Sequence, residues 1–228
     1  MREMVEFPSN GSSGTGYLAV PESGSGPGIV VIQEWWGLND QIKEVCDRYA
    51  SDGFVALAPD LYRGKATTKE DEAGQLMMAL NIEQAAKDMA GAVDYLKGHD
   101  TATGNGLGVT GFCMGGGLAL WLATLRPDDV KAVVPYYGVI PWPAAQPDWS
   151  KLQAPVQGHY AETDDFASPE TVRKLEEELK GHGATVEFFI YPGVGHAFTN
   201  HHRPEVFHEE HSQTAWGRTI AFFRDNLK

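Results

Sequence analysis

Apolar residues along the chain fall into short runs that alternate with polar or glycine-containing turns. Continuous apolar runs are typical of strands buried on both faces of a sheet. They are preceded by two shorter segments, 3–7 and 15–20, which flank a Gly/Ser-rich turn and predict an antiparallel hairpin. The further predicted strands cover 29–33, 53–58, 108–110, 130–137, 155–160 and 185–191.

Between these strands the apolar positions recur with a helical period. Ile42, Val45, Cys46 and Tyr49 predict a helix that Asp40 caps and that runs to about Ser51. Strands that alternate with helices predict an α/β fold, with a mostly parallel central sheet covered by helices on both faces. No repeat or linker divides the sequence, so we expect a single domain over 1–228. The other predicted helices cover about 72–80, 82–97, the stretch after Gly115, 168–180 and 204–226, and 138–153 predicts an irregular, lid-like loop.

Composition narrows the possible functions. The net charge of −13 and the lack of a Lys/Arg stripe argue against nucleic-acid binding. No apolar stretch reaches the roughly 18 residues of a membrane span, and the N-terminus lacks the apolar region of a signal peptide. The only two cysteines, Cys46 and Cys113, are interpreted as free thiols. We therefore expect a cytoplasmic protein with no membrane partner, either a monomer or a small homo-oligomer.

The segment Gly111-Phe112-Cys113-Met114-Gly115 lies between a predicted strand and an apolar helix. Strand, G-x-C-x-G and helix form the pattern of a nucleophile elbow in which cysteine replaces the usual serine. The turn is so sharp that glycine is needed two positions before and after the nucleophile. The alternative is an inert core thiol, because cysteine is among the most buried residue types. Cys46, on the apolar face of a helix, fits that alternative better.

Two further segments supply the groups that a cysteine nucleophile needs. The strand 155–160 leads to Asp164 and Asp165, and the strand 185–191 leads to His196. Nucleophile, acid and histidine then follow in the chain order of the α/β-hydrolase fold, each at the carboxyl end of a strand. Asp164 is the preferred acid, although Asp165 could take the role while its neighbour caps the following helix.

Several motifs together resemble the dienelactone hydrolase family of α/β-hydrolases, which use a cysteine nucleophile. They are QEWWGLN, PDLY, GFCMGG, YYG, the Asp164-Asp165-Phe166 segment and GHAF, and the likeness extends from about residue 16 to 226. The resemblance implies cofactor-free hydrolysis of a small ester or lactone through a thioester acyl-enzyme. It assigns Cys113 as nucleophile, His196 as base, Asp164 as orienting acid, Glu34 as the carboxylate that meets the resting thiol, and the Met114 and Trp35 backbone amides as the oxyanion hole.

The sequence departs from the family where arginines are expected to bind a substrate carboxylate. Asn200 stands four residues after the histidine, and the segment 73–75 contains no arginine. Arg63 and Arg203 lie nearby in the sequence and could substitute. These departures favour ester or lactone hydrolysis in general over dienelactone itself. The substrate-binding candidates are Trp36, Tyr137, Trp142, Phe198, Asn200 and Arg63, although each aromatic residue could equally belong to the core.

Two functional alternatives remain open. The fold could serve as a ligand-binding or redox-sensing module with little turnover. The enzyme could also cleave thioesters. His208-Glu209-Glu210-His211 suggests a metal, but its histidines are three positions apart, and the zinc-protease motif needs four. We therefore interpret this segment as a solvated helix start and expect no metal.

Overall fold

The structure of the protein is a computed structural model that describes residues 1–228. Eight strands form one sheet in the order β1-β2-β4-β3-β5-β6-β7-β8. β1 pairs antiparallel with β2, and β2 pairs antiparallel with β4, whereas all other neighbouring strands are parallel. The predicted hairpin and mostly parallel sheet are therefore confirmed. The strands are β1 Arg2–Ser9, β2 Ser12–Ala19, β3 Gly26–Ile32, β4 Val55–Pro59, β5 Ala102–Phe112, β6 Val130–Tyr136, β7 Val156–Thr163 and β8 Val186–Gly195.

Helices cover both faces of this sheet. Successive side chains of β3 point to opposite faces of the sheet, and both faces are packed. Ile29 and Val31 belong to one apolar cluster, and Val30 and Ile32 belong to another on the opposite face. Helices α1 and α6 contribute to the first cluster, and α3 and α4 contribute to the second. None of the helices is both long and apolar enough to cross a bilayer. The helices are α1 Asp40–Ser51, α2 Glu70–Met78, α3 Ile82–Gly98, α4 Met114–Leu125, α5 Pro169–Gly181 and α6 Glu209–Asn226.

Helix starts differ most from the sequence predictions. Asn39, rather than Asp40, caps α1, because its side-chain oxygen accepts from the Ile42 amide at 3.1 Å. The last helix begins at Glu209, five residues later than the pattern predicts, and His208 is its N-cap. The segment 138–153 is irregular as expected, apart from one 3-10 turn at Trp149–Lys151. Cys46 is completely buried in the core.

Candidate active site

The candidate residues follow five neighbouring parallel strands. Glu34 follows β3, Cys113 follows β5, Tyr137 follows β6, Asp164 follows β7, and His196 follows β8. Because parallel strands end at the same edge of a sheet, their connecting loops share that edge. The topology thus collects side chains from positions 34 to 196 in one region.

Cys113 occupies the turn between β5 and α4. Its backbone has φ 55° and ψ −123°, a conformation that L residues rarely adopt, and only 7% of the residue is exposed. The sharp turn is possible because the neighbouring glycines lack side chains. A Cβ on Gly111 would collide with the carbonyl oxygen of Gly115, and one on Gly115 would collide with the carbonyl oxygens of Ile32 and Gln33. The backbone strain and the glycine contacts are those of a nucleophile elbow.

His196 is oriented by Asp164. Its Nδ1 lies 2.7 Å from Asp164 Oδ2, while Asp164 Oδ1 accepts from the amides of Phe166 and Ala167 at 2.8 and 2.9 Å. Burial alone would raise the pKa of Asp164, but these hydrogen bonds and the His196 charge hold it below its usual value. The nearby carboxyl of Asp165 is exposed.

The protonation of His196 is set by two opposing effects. Burial alone would lower the pKa of the imidazole, but its interactions with Asp164 and Cys113 outweigh burial and raise it to about 10. A protonated imidazole can donate a proton to a leaving group. The arrangement of Asp164, His196 and Cys113 combines an orienting acid, a base and a nucleophile candidate, which are the groups that nucleophilic catalysis needs.

Glu34 is buried beside this group, with only 2% exposure. Its Oε1 accepts from the Tyr137 hydroxyl at 3.1 Å, and its Oε2 accepts from the Asn200 amide at 3.0 Å. Burial raises the pKa of the Glu34 carboxyl, and the charge of His196 together with both hydrogen bonds only partly offsets that rise. No hydrogen bond joins Glu34 to the Cys113 thiol in this conformation. The Glu34 carboxylate is held instead by Tyr137 and Asn200, so Asn200 is a hydrogen-bond partner of Glu34.

Two backbone amides are available near the nucleophile. The N–H groups of Trp35 and Met114 donate to no backbone carbonyl outside helices and strands. Met114 is the first residue of α4, where the helix dipole favours negative charge. These two amides are the oxyanion-hole candidates of the sequence analysis, and such donors must be free to bind a developing charge.

A cavity of about 320 Å³ lies next to Glu34's partner Asn200. Trp36 forms one wall, and the Arg203 guanidinium lies 5.7 Å from the centre of its ring. Arg203 also pairs with Glu205 at 2.8 Å and with Glu70 at 3.7 Å. The lining residues are Trp36, Asn39, Thr67, Thr68, Glu70, Asn200, His202, Arg203 and Glu205.

The remaining substrate-binding candidates have other surroundings. Phe198 is completely buried and packs against Tyr137 and Tyr191, with ring centres 5.7 and 5.0 Å apart. Trp142 donates its indole N–H to the Met77 carbonyl at 3.3 Å. Phe198 thus supports the site from the core, and Trp142 joins the loop 138–153 to the end of α2.

Arg63 points away from the collected residues. Its guanidinium donates to Asp88 at 2.9 and 3.2 Å and to Ser12 of the hairpin at 3.2 Å. Asp88 is a buried carboxylate on α3, so this ion pair explains the position of Arg63. The expectation that Arg63 binds substrate does not agree with this geometry.

Two residues that were not among the predicted site residues contact the site. Thr199 Oγ1 lies 2.8 Å from the Tyr137 hydroxyl, and the Phe166 ring meets the His196 ring edge to face at 5.4 Å. Phe166 ends the Asp164-Asp165-Phe166 motif and Thr199 directly follows GHAF, but no sequence pattern assigns either side chain a contact with the site. Their roles depend on tertiary contacts.

The eight-stranded sheet, the edge hairpin and the elbow after its central strand define an α/β-hydrolase fold. The chain belongs to the dienelactone hydrolase family, which it matches over residues 15–227. The predicted family is thereby confirmed.

Individual relatives agree with this membership. The chain is 39% identical over 233 residues to Protein usf of Aquifex pyrophilus, with 100% of both chains covered. It is 34% identical over 234 residues to an Aquifex aeolicus protein that carries the name carboxymethylenebutenolidase, again with 100% of both chains covered. The crystal structure of a Klebsiella pneumoniae protein described as a dienelactone hydrolase has a TM-score of 0.88 and 29% identity, and the match covers 98% of each chain.

Proposed function

We propose that the protein hydrolyses a small carboxylic ester or lactone with Cys113 as the nucleophile. The observation that carries the proposal is the His196–Asp164 contact of 2.7 Å beside a cysteine held at φ 55°. A hydrogen-bonded acid, a base and a nucleophile on a strained turn are the parts that covalent acyl transfer requires. The family membership and the names of the relatives support the same reaction class.

The proposed reaction has two steps. The Cys113 thiolate attacks the carbonyl carbon, and the developing oxyanion accepts hydrogen bonds from the Trp35 and Met114 amides. The tetrahedral intermediate then collapses and breaks its bond to the leaving oxygen, which takes a proton from His196. A thioester remains on Cys113. Water then attacks the thioester while His196 takes its proton. The second collapse releases the acid and restores the thiolate and the protonated imidazole.

We further propose that the preferred substrates are neutral. The cationic and side-chain amide groups named above already have partners: Asn200 donates to Glu34, Arg203 pairs with Glu205, and Arg63 pairs with Asp88 away from the site. A substrate carboxylate would have to compete with these acids and with a net charge of −13. We therefore expect a higher kcat/KM for a neutral lactone than for the same lactone bearing a carboxylate.

The test compares hydrolysis of 4-nitrophenyl acetate by the wild type and by Cys113→Ala. We expect the variant to lose at least about 10²-fold in kcat/KM, because the covalent step is removed. Mass spectrometry of the quenched wild-type reaction should show an acetyl group on the peptide that contains Cys113. Cys46→Ala is the matched control, since Cys46 is a buried core thiol outside the site.

Equal rates for the wild type and Cys113→Ala would contradict the nucleophile assignment. If the wild type is inactive, a panel of neutral lactones and acyl thioesters decides between an unsuitable probe and a different function. If the wild type hydrolyses only the thioesters of the panel, the proposed activity changes from ester hydrolysis to thioester hydrolysis. Ligand binding without turnover of any member of the panel would favour a binding module instead.

A further inference from the structure

Three potential metal ligands meet on the surface, one from an early helix and two from consecutive residues near the end of the chain. Glu44 projects from α1, and His201 and His202 lie between β8 and α6. The Nε2 atoms of His201 and His202 lie 2.7 and 2.9 Å from the same oxygen, Glu44 Oε2.

The backbone around both histidines is fixed by hydrogen bonds. The His202 amide donates to Asn200 Oδ1 at 3.1 Å, and the Arg203 amide donates to the Asn200 carbonyl at 3.0 Å. The two imidazole rings are nearly perpendicular, at 87°, with centres 4.6 Å apart. A turn of this kind spreads the two ring nitrogens around a common point instead of stacking them.

We propose that Glu44, His201 and His202 form a binding site for one divalent transition-metal ion, with Zn²⁺ the best fit. The three ligand atoms all lie within 4.8 Å of one another. Bonds of about 2.0 Å to a tetrahedral ion place neighbouring ligand atoms roughly 3.3 Å apart. Each nitrogen has to move outward from Glu44 Oε2 by about half an ångström to admit the ion, and the two nitrogens, which lie within 4.8 Å of each other, have to reach a similar spacing.

The donor set selects the class of metal. Two imidazole nitrogens and one carboxylate oxygen suit Zn²⁺ and its neighbours in the first transition row better than Ca²⁺ or Mg²⁺, which prefer oxygen ligands. The three side chains are 40–51% exposed, so water can supply a fourth ligand. Both imidazoles bind through Nε2 once their proton lies on Nδ1, so uptake by the neutral histidines needs no net proton release.

The site is separate from the proposed nucleophile, and its test does not depend on activity. Zn²⁺ also binds thiolates, and His196 lies beside Cys113, so the titrations use full-length Cys113→Ala as the parent protein. After treatment with a chelator, the parent is titrated with Zn²⁺ in an isothermal calorimeter. We expect one equivalent to bind with a dissociation constant well below millimolar.

Glu44→Gln and the double variant His201→Ala/His202→Ala, each in the parent, should lower this affinity by at least about tenfold, because even outer-shell partners of a metal contribute that much. The matched control is His208→Gln/His211→Gln, which removes two other histidines, both half-buried, whose rings stack at 4.3 Å. Thermal unfolding of the metal-free variants checks that each is folded.

The proposal also predicts that added Zn²⁺ raises the Tm of the parent but not that of the His201/His202 double variant. Absence of Zn²⁺ binding by the parent would overturn the proposal. It would equally be overturned if Glu44→Gln and the double variant bound Zn²⁺ as tightly as the parent, or if the affinity fell only in the His208/His211 control.

Discussion

Asp164 uses its two carboxylate oxygens for different purposes. Oδ1 accepts two backbone amides and so fixes the loop after β7, whereas Oδ2 binds the imidazole of His196. This division explains why the first of two adjacent aspartates is suited to orient the base. Asp165 points to solvent and contacts neither the loop amides nor the imidazole.

Replacing Asp164 by Asn should therefore affect the chemistry of His196. The variant loses the carboxylate that raises the pKa of His196 to about 10, so an NMR titration should show a lower pKa. We expect kcat/KM for 4-nitrophenyl acetate to fall by about 10²-fold, the usual scale of an acid–base contribution. Asp165→Asn is the control and should leave both measurements unchanged. A larger effect of Asp165→Asn would transfer the role to that residue.

At the scale of elements, the elbow depends on contact between the backbones of β5 and α4. Any side chain on Gly111 meets the carbonyl of Gly115, and backbone cannot move aside as a flexible side chain can. The position of the Cys113 side chain thus depends on residues that carry no chemistry themselves.

Gly111→Ala should lower the free energy of unfolding by at least about 2 kcal/mol, the scale of overpacking in a closed site. Gly74→Ala, within α2, has no atom within 4 Å of its new Cβ and should raise the free energy of unfolding by roughly 0.5–1 kcal/mol. Urea unfolding of both variants measures these changes. If both variants lost the same stability, steric conflict at the elbow would not be the cause.

Much of this element structure could be predicted from the sequence, because it rests on local rules. The run at Ile29 is apolar on both faces because both faces of β3 are covered, and the glycines around Cys113 are required by a turn of fixed geometry. Helix starts were less predictable. Asn39 and Asp40 are both good caps, and only the backbone conformation decides between them.

The directions of individual side chains could not be predicted from the sequence. Nothing local shows that Arg63 binds Asp88 or that Phe198 lies wholly in the core. The cluster of Glu44 with His201 and His202 joins positions 157 and 158 residues apart, which a spacing motif cannot represent. Such contacts arise only when the fold brings distant helices and loops together.

For the molecule as a whole, a buried histidine links stability to pH. His159, on β7, is fully buried, and its ring nitrogens lie 3.0 Å from the hydroxyls of Tyr191 and Thr219. Burial, assisted by the charge of Arg218, lowers the pKa of His159 from 6.5 to about 3. The folded protein thus keeps this ring neutral at a pH where the unfolded chain would protonate it.

The sign of the effect follows from this difference. Above about pH 6.5 both states carry a neutral His159, and stability is unaffected. Between that pH and about 3 the unfolded chain binds the additional proton, so His159 lowers the free energy of unfolding by about 1.4 kcal/mol for each pH unit. Urea unfolding at pH 7, 6 and 5 should show a shallower loss for His159→Gln than for the wild type. Equal slopes would mean that His159 is not the sensitive group.

The proposed site residues fall into two groups along the chain, one on each side of an irregular segment. Glu34 and Cys113 precede the irregular segment 138–153, and Asp164 and His196 follow it. A chain break at the exposed residues of this segment would place the proposed nucleophile on one fragment and its acid and base on the other. Within the sheet, the two fragments would then meet where β6 pairs with β7. Ester hydrolysis would then report the association of the two fragments, since neither fragment carries a complete set of reacting groups.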